Sequence, residues 1–252
     1  MEKLLYVSLV FTILMIFMKP SGRSQAVGTP LKLKVHFDES GDCLTNIEKT
    51  VIQQVMSTQV KEVATILEKL PDSVIIEVQI IDRDLGTVDG VTGWTNEHLP
   101  TGKIVALISA VYPGGALQAA KDGMKTFIFH EFHHLMRGWS IHQNEYAQGI
   151  DNAIINEGLA VVFAEDYTGI RHEANAYSDE AEQWVEEILR LPKDANYNHW
   201  VSGKHPDGRT YIGYRAGNYV IRKAMQKSGK SILELSNLSP VEIYELAGFK
   251  NE

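Results

Sequence analysis

The stretch that most restricts how this chain can fold is His130-Glu131-Phe132-His133-His134. On a helix each residue turns by about 100°, so His130 and His134 project within about 40° of each other. The same wheel gathers Met124, Ile128, Phe132 and Leu135 on the opposite side. A helix of that kind must bury one face and bring two imidazoles to its other edge. Glu131 falls about 100° from His130, beside the paired imidazoles rather than between them. Such a pair can share one metal ion, with Glu131 placed to take a proton from a water activated there. Three fixed positions are few, and a core helix with two satisfied histidines is the competing reading.

A second carboxylate strengthens the metal reading. Glu157, in Asn156-Glu157-Gly158-Leu159-Ala160, opens an apolar run from Leu159 to Ala164 that has the composition of a buried helix. An ionised carboxylate there needs a partner, because an unpaired buried charge is costly. A zinc ion held by His130 and His134 supplies one. Two His and one Glu leave a fourth position open, which is the composition of a catalytic zinc site rather than of a closed structural one.

With these residues in place, the chain resembles the gluzincin branch of zinc metallopeptidases, through His130, Glu131, His134 and Asn156-Glu157-Gly158-x-Ala160. The His-Glu-Phe-His-His wording and Gly213-Tyr214-Arg215-Ala216-Gly217 resemble more narrowly a bacterial family of predicted zinc-dependent proteases, catalogued mostly as a domain of unknown function. The similarity spans roughly residues 100–245. It implies His130, His134 and Glu157 as zinc ligands and Glu131 as general base. Some gluzincins carry an Asp four residues after the third ligand to orient a zinc histidine. Here that position is Val161, so the groups around the ligands must be arranged differently. The resemblance also implies a Tyr or His donor for the developing oxyanion, from the region after Glu157. Tyr214 is the choice, with Tyr211 and His205 as alternatives.

Another layout is tested by counting. H-E-x-x-H-x-x-G-x-x-H requires Gly at 137 and His at 140, where the chain has Arg137 and Ser140. Gly138 and His142 miss that register, leaving His142 as a weaker third-ligand candidate. Cys43 is the lone cysteine, which excludes an internal disulfide and a thiolate-based metal site.

The N-terminus bears on compartment. Leu4 to Met18 is an uncharged run between Met1-Glu2-Lys3 and Lys19-Pro20. It suits a secretory signal and is short for a membrane span. Residues 1–26 are expected to be a signal peptide or membrane anchor, with Ser24-Gln25-Ala26 as the cleavage region. This predicts a protein that acts outside the cytoplasm, secreted or anchored at the membrane through residues 4–18. The formal net charge of −8 argues against nucleic acid as a partner. It does not choose among substrates.

Residues 27–252 are expected to form one zincin-like α+β domain, with a small N-terminal sheet and helices in about 27–120 and a mainly helical part in about 121–252. Leu31 to Phe37 alternates as a strand, and Leu44 to Leu70 has helical spacing with a break near Ser57-Thr58. Val74 to Ile81 reads as a strand. Residues 83–103 contain four glycines and read as a loop or hairpin, with Trp94 packing it or rimming a substrate cleft. Ile104 to Ala110 is a further strand. The resemblance implies that it lies along the cleft and pairs with extended substrate; its plain role is an interior strand. The metal helix is expected from about Lys121 to Arg137, ended by Gly138, with Asp151 or Asn152 capping the next. His172, His199 and His205 lie in a polar stretch, 167–210; any of them could approach the cleft, but the surface is the expectation. Tyr211 to Ala224 and Ile232 to Leu246 have helical spacing.

The leading functional expectation is a zinc-dependent peptidase acting on peptide or protein. Its alternatives are a non-catalytic zinc-containing envelope binding or sensor protein and a zinc hydrolase of non-peptide amides. Glu131 separates the first from the second, since a pure binding site has no use for that carboxylate.

Overall fold

A computed structural model describes residues 31–38, 44–96, 101–140 and 149–249 of the 252-residue chain. Cys43, His142 and the 4–18 run lie outside them. Among the described residues no helix is long and apolar enough to cross a membrane.

The architecture is α+β, a four-stranded mixed sheet followed by a mostly helical remainder. Strand β1 (Lys32–Phe37) is followed by helix α1 (Asn46–Ala64) and strand β2 (Ser73–Ile81). Strands β3 (Val91–Asn96) and β4 (Gly102–Ser109) form a hairpin. The order is β1-β2-β4-β3, parallel except for β3, which pairs antiparallel with β4. Alternation decides which side is covered: Val74, Ile76 and Val78 of β2 are buried with Ile104, Ala106 and Ile108 of β4.

Thr45 and Glu48 form a reciprocal cap that starts α1, and Ile52, Met56, Val60 and Val63 make its buried stripe. The expected break at Ser57-Thr58 does not occur. Thr58 returns its hydroxyl to the Gln54 carbonyl (2.9 Å), so the helix absorbs it without opening.

The helical part contains α2 (Gly115–Ser140), α3 (Ile150–Thr168), α4 (Ala181–Leu189), α5 (Ile212–Ser228), α6 (Ile232–Leu235) and α7 (Pro240–Ala247). Helix α2 passes through Gly138 instead of stopping there. Helix α3 is not capped by Asp151 or Asn152. It begins after Gly149, whose φ of 95° favours glycine, and Asp151 lies in the first turn. Helices α1 and α3 both pack on α2, and α5 packs on α3. One core runs from Ile76 and Ile108 of the sheet through Phe132 and Phe163 to Ile221 and Tyr244.

Two close approaches position the site. Helices α3 and α5 meet at Gly158 and Gly217, where a Cβ on Gly158 would stand 2.4 Å from the Gly217 carbonyl carbon. At Gly93 of β3, a Cβ would meet the Val105 carbonyl at 1.9 Å and the Phe127 ring at 2.9 Å. The edge strand therefore lies directly against the metal helix. The free edge for pairing with substrate that the resemblance implied for 104–110 belongs to β3, because β4 is paired on both sides, while Leu107 of β4 still lines the cleft.

Candidate metal centre

His130 and His134 stand one turn apart on α2, and Glu157 reaches them from the third turn of α3. His130 Nε2 lies 3.1 Å from His134 Nε2 and 3.1 Å from Glu157 Oε2. The remaining side, His134 Nε2 to Glu157 Oε2, is 3.4 Å. Both ring N–H groups could donate to Glu157 Oε2, but the two imidazole nitrogens would then still oppose each other at 3.1 Å. A cation satisfies all three atoms at once. A tetrahedral ion with bonds of about 2.0–2.2 Å sets its ligands about 3.3–3.6 Å apart, close to the observed sides. His130, His134 and Glu157 are thus positioned to bind a metal.

The electrostatics agree. Burial alone would raise the Glu157 carboxyl, but the imidazoles of His134 and His130 outweigh it and hold the group well below the usual carboxylate range. His133, between the paired histidines in sequence, is spent elsewhere. Its Nε2 sits 2.8 Å from Ser236 Oγ, and that hydroxyl donates to the Ile232 carbonyl, so the imidazole is the donor. Burial, then His134 and Arg137, push its pKa well below the usual value, leaving it neutral. Arg137 Nε donates to Asn156 Oδ1 (2.7 Å) and ties the end of α2 to the residue before Glu157.

Glu131 is buried beneath the edge strand. Thr95 Oγ1 donates to Glu131 Oε2 at 2.6 Å and lies 3.2 Å from the Glu131 carbonyl. The carboxylate is therefore oriented by β3 while the helix sets its position. Tyr214, one turn before Gly217 on α5, lies with its ring 6.2 Å from the His130 ring. Burial, followed by the charge of Glu157, raises its phenol well above the usual range, so it remains a proton donor.

The oxyanion candidates separate. Tyr214 and Tyr211 line the main cleft, of about 750 Å³, with His130, Glu131, His134 and Glu157. His205 does not: its Nδ1 pairs with Asp207 (2.8 Å) and its ring packs 4.6 Å from that of Trp200. A smaller cavity of about 140 Å³ extends from His130 and Glu131 between α2 and α3, walled by Phe127, Val161 and Ala164. His172, expected at the surface, lines this cavity and pairs with Asp89 (3.1 Å). Burial lowers its pKa even though Asp89 opposes the shift. Trp94 is 52% exposed and lines the main cleft, which makes it a rim residue rather than a packing one.

Two contributors carried no signal in the chain. Thr95 is an ordinary strand residue until β3 docks on α2. Tyr197 sits in the aperiodic polar stretch, yet its hydroxyl donates to Glu157 Oε1 at 3.2 Å.

A family model described as "Predicted Zn-dependent protease (DUF2268)" matches residues 52–245. No curated protein and no solved structure matches the chain.

Proposed function

We propose that this chain, which belongs to the family of predicted Zn-dependent proteases, is a zincin-like peptidase that hydrolyses peptide bonds with zinc held by His130, His134 and Glu157. The observation that carries the reading is the donor triangle with Glu131 beside it, its carboxylate aimed by Thr95. When bound, zinc lowers the pKa of water and polarises a carbonyl. The protein's own groups supply the proton transfers. Glu131 accepts the proton of the attacking water and returns it to the leaving amine. Tyr214, kept protonated by its buried setting, donates to the oxyanion as charge develops there.

The surroundings favour an extended peptide over a small amide. Strand β3 lies at the sheet edge, where an extended chain can add by backbone pairing. Trp94 stands at the rim. The cavity of about 140 Å³ beside His130 is close to the space that accepts a benzene ring in an engineered protein, so it can take one side chain. The proposed place of action is outside the cytoplasm, on the strength of residues 4–18. Cell fractionation of the full chain against one lacking residues 1–26 tests that part.

The chemistry is tested by incubating metal-loaded protein with a peptide library read by mass spectrometry, alongside Glu131→Gln. The substitution keeps size and hydrogen bonding but removes the base. Metal content should persist while cleavage falls by roughly 10²–10⁴-fold. Undiminished cleavage by Glu131→Gln would remove Glu131 from the mechanism.

A further inference from the structure

We infer that Tyr197 is a positioning residue for the metal ligand Glu157, acting through the carboxylate oxygen that faces away from the histidines. The inference rests on the reading of His130, His134 and Glu157 as a zinc site and concerns how that site is kept in order.

The two oxygens of Glu157 are used differently. Oε2 faces both imidazoles, at 3.1 and 3.4 Å. Oε1 accepts from Tyr197 Oη at 3.2 Å. A carboxylate can turn about its terminal bond or offer both oxygens to one ion. A donor on Oε1 opposes both motions and keeps Oε2 as the inward ligand. The bond joins a neutral phenol to an ionised carboxylate, which makes it charge-assisted. It also provides an outer partner that the neighbouring turn of α3 cannot, because Val161 stands four residues after Glu157. The support reaches the ligand set through its carboxylate, from a separate segment.

That segment is built to hold the phenol in place. Tyr197 is half exposed, but the residues just after it are anchored. Asn198–Ser202 form one wide helical turn whose Trp200 and Val201 are buried. Val201 packs against Gly213 of α5, where a Cβ would stand 2.8 Å from the Val201 Cα. The Arg209 guanidinium lies 5.5 Å from the Trp200 ring and 5.6 Å from the Trp184 ring. It also pairs with Glu187 (2.7 Å) and Asp207 (2.7 Å). Tyr197 thus extends from a fixed base to the ligand.

The test uses the full chain and zinc alone, with affinity read by competition against a chromophoric chelator. Tyr197→Phe removes one hydroxyl from a half-exposed ring. Zinc affinity should fall about 10- to 100-fold, the range of an outer partner of a metal ligand. The melting temperature of the metal-free protein should hold. Cobalt gives a second readout: freeing Oε1 changes the number of oxygens on the ion and with it the visible spectrum. Parent-like zinc affinity with an unchanged cobalt spectrum would overturn the inference. So would a loss of affinity matched by an equal loss of metal-free stability, which marks an ordinary packing contact. Absence of zinc binding by the parent chain would remove the zinc site itself, an outcome distinct from either.

Discussion

Helices α2 and α3 and the segment 190–211 deliver side chains to the same cleft, but different forces hold them. His130, Glu131, His134 and Glu157 sit on helices whose other faces are sealed by Phe132, Leu135, Leu159 and Phe163, all fully buried. Their geometry follows from close packing, which resists small changes of volume. The 190–211 segment places Tyr197 through a guanidinium between two indoles, two carboxylates and one wide turn. Those contacts are partly exposed and screened by salt. The side chains on α2 and α3 are therefore set by volume, and Tyr197 is set by charge and hydrogen bonding.

The contrast can be broken at four points, in falling order of effect. Glu157→Ala removes one of the three donors of the proposed zinc site, so stoichiometric zinc should be lost, a deficit beyond the roughly 100-fold upper range of an outer partner. Metal analysis of purified protein measures it, and full occupancy would refute the assignment of Glu157. Tyr214→Phe should lower turnover by roughly 10²–10³ with zinc content and substrate affinity little changed. Together with Tyr197→Phe it separates two tyrosines of one cleft, one acting on turnover and the other on metal. Unchanged turnover would make Tyr214 a core residue.

The third point probes packing. Gly217→Ala puts a methyl 2.1 Å from the Ile154 carbonyl and must push α5 away from α3. Overpacking of this kind costs about 1–3 kcal/mol, measured by denaturant unfolding. A neutral result would show that the two helices have slack. The fourth probes the charged side: Arg209→Lys loses the planar fork and its stacking on Trp184 and Trp200. Being partly exposed, it should cost about 1 kcal/mol or less, a fall of about 2–4 °C at most in melting temperature. The loss should shrink as salt is raised, and a loss independent of salt would show packing to dominate there too.

Local pattern carried much of this architecture. Alternation marked β1, Val and Ile content marked β2, and helical spacing marked α1, α2 and α5, because each helix buries one face in a fixed period. The boundaries at Ser57-Thr58, Gly138 and Asp151 differ from those that local pattern implies, for a shared reason. Each residue permits a stop or a cap, and tertiary packing decides whether that option is used. His172 read as a surface histidine because the carboxylate that partners it, Asp89, lies 83 residues away in the chain.

Local pattern alone was enough to place two imidazoles on one face of a buried helix, Glu131 beside them, and Glu157 in need of a cationic partner. Those conclusions follow from helical period and the cost of burying charge, both readable within a few turns. Three features waited on the fold: that β3 rather than β4 offers a free edge, that Thr95 aims Glu131, and that Tyr197 supports Glu157. Each of these joins segments far apart in the chain: Thr95 lies 36 residues from Glu131, and Tyr197 lies 40 from Glu157. No periodicity spans such a gap. Gly93 lets β3 close on the Phe127 ring of α2, and Gly213 lets the 198–202 turn close on α5.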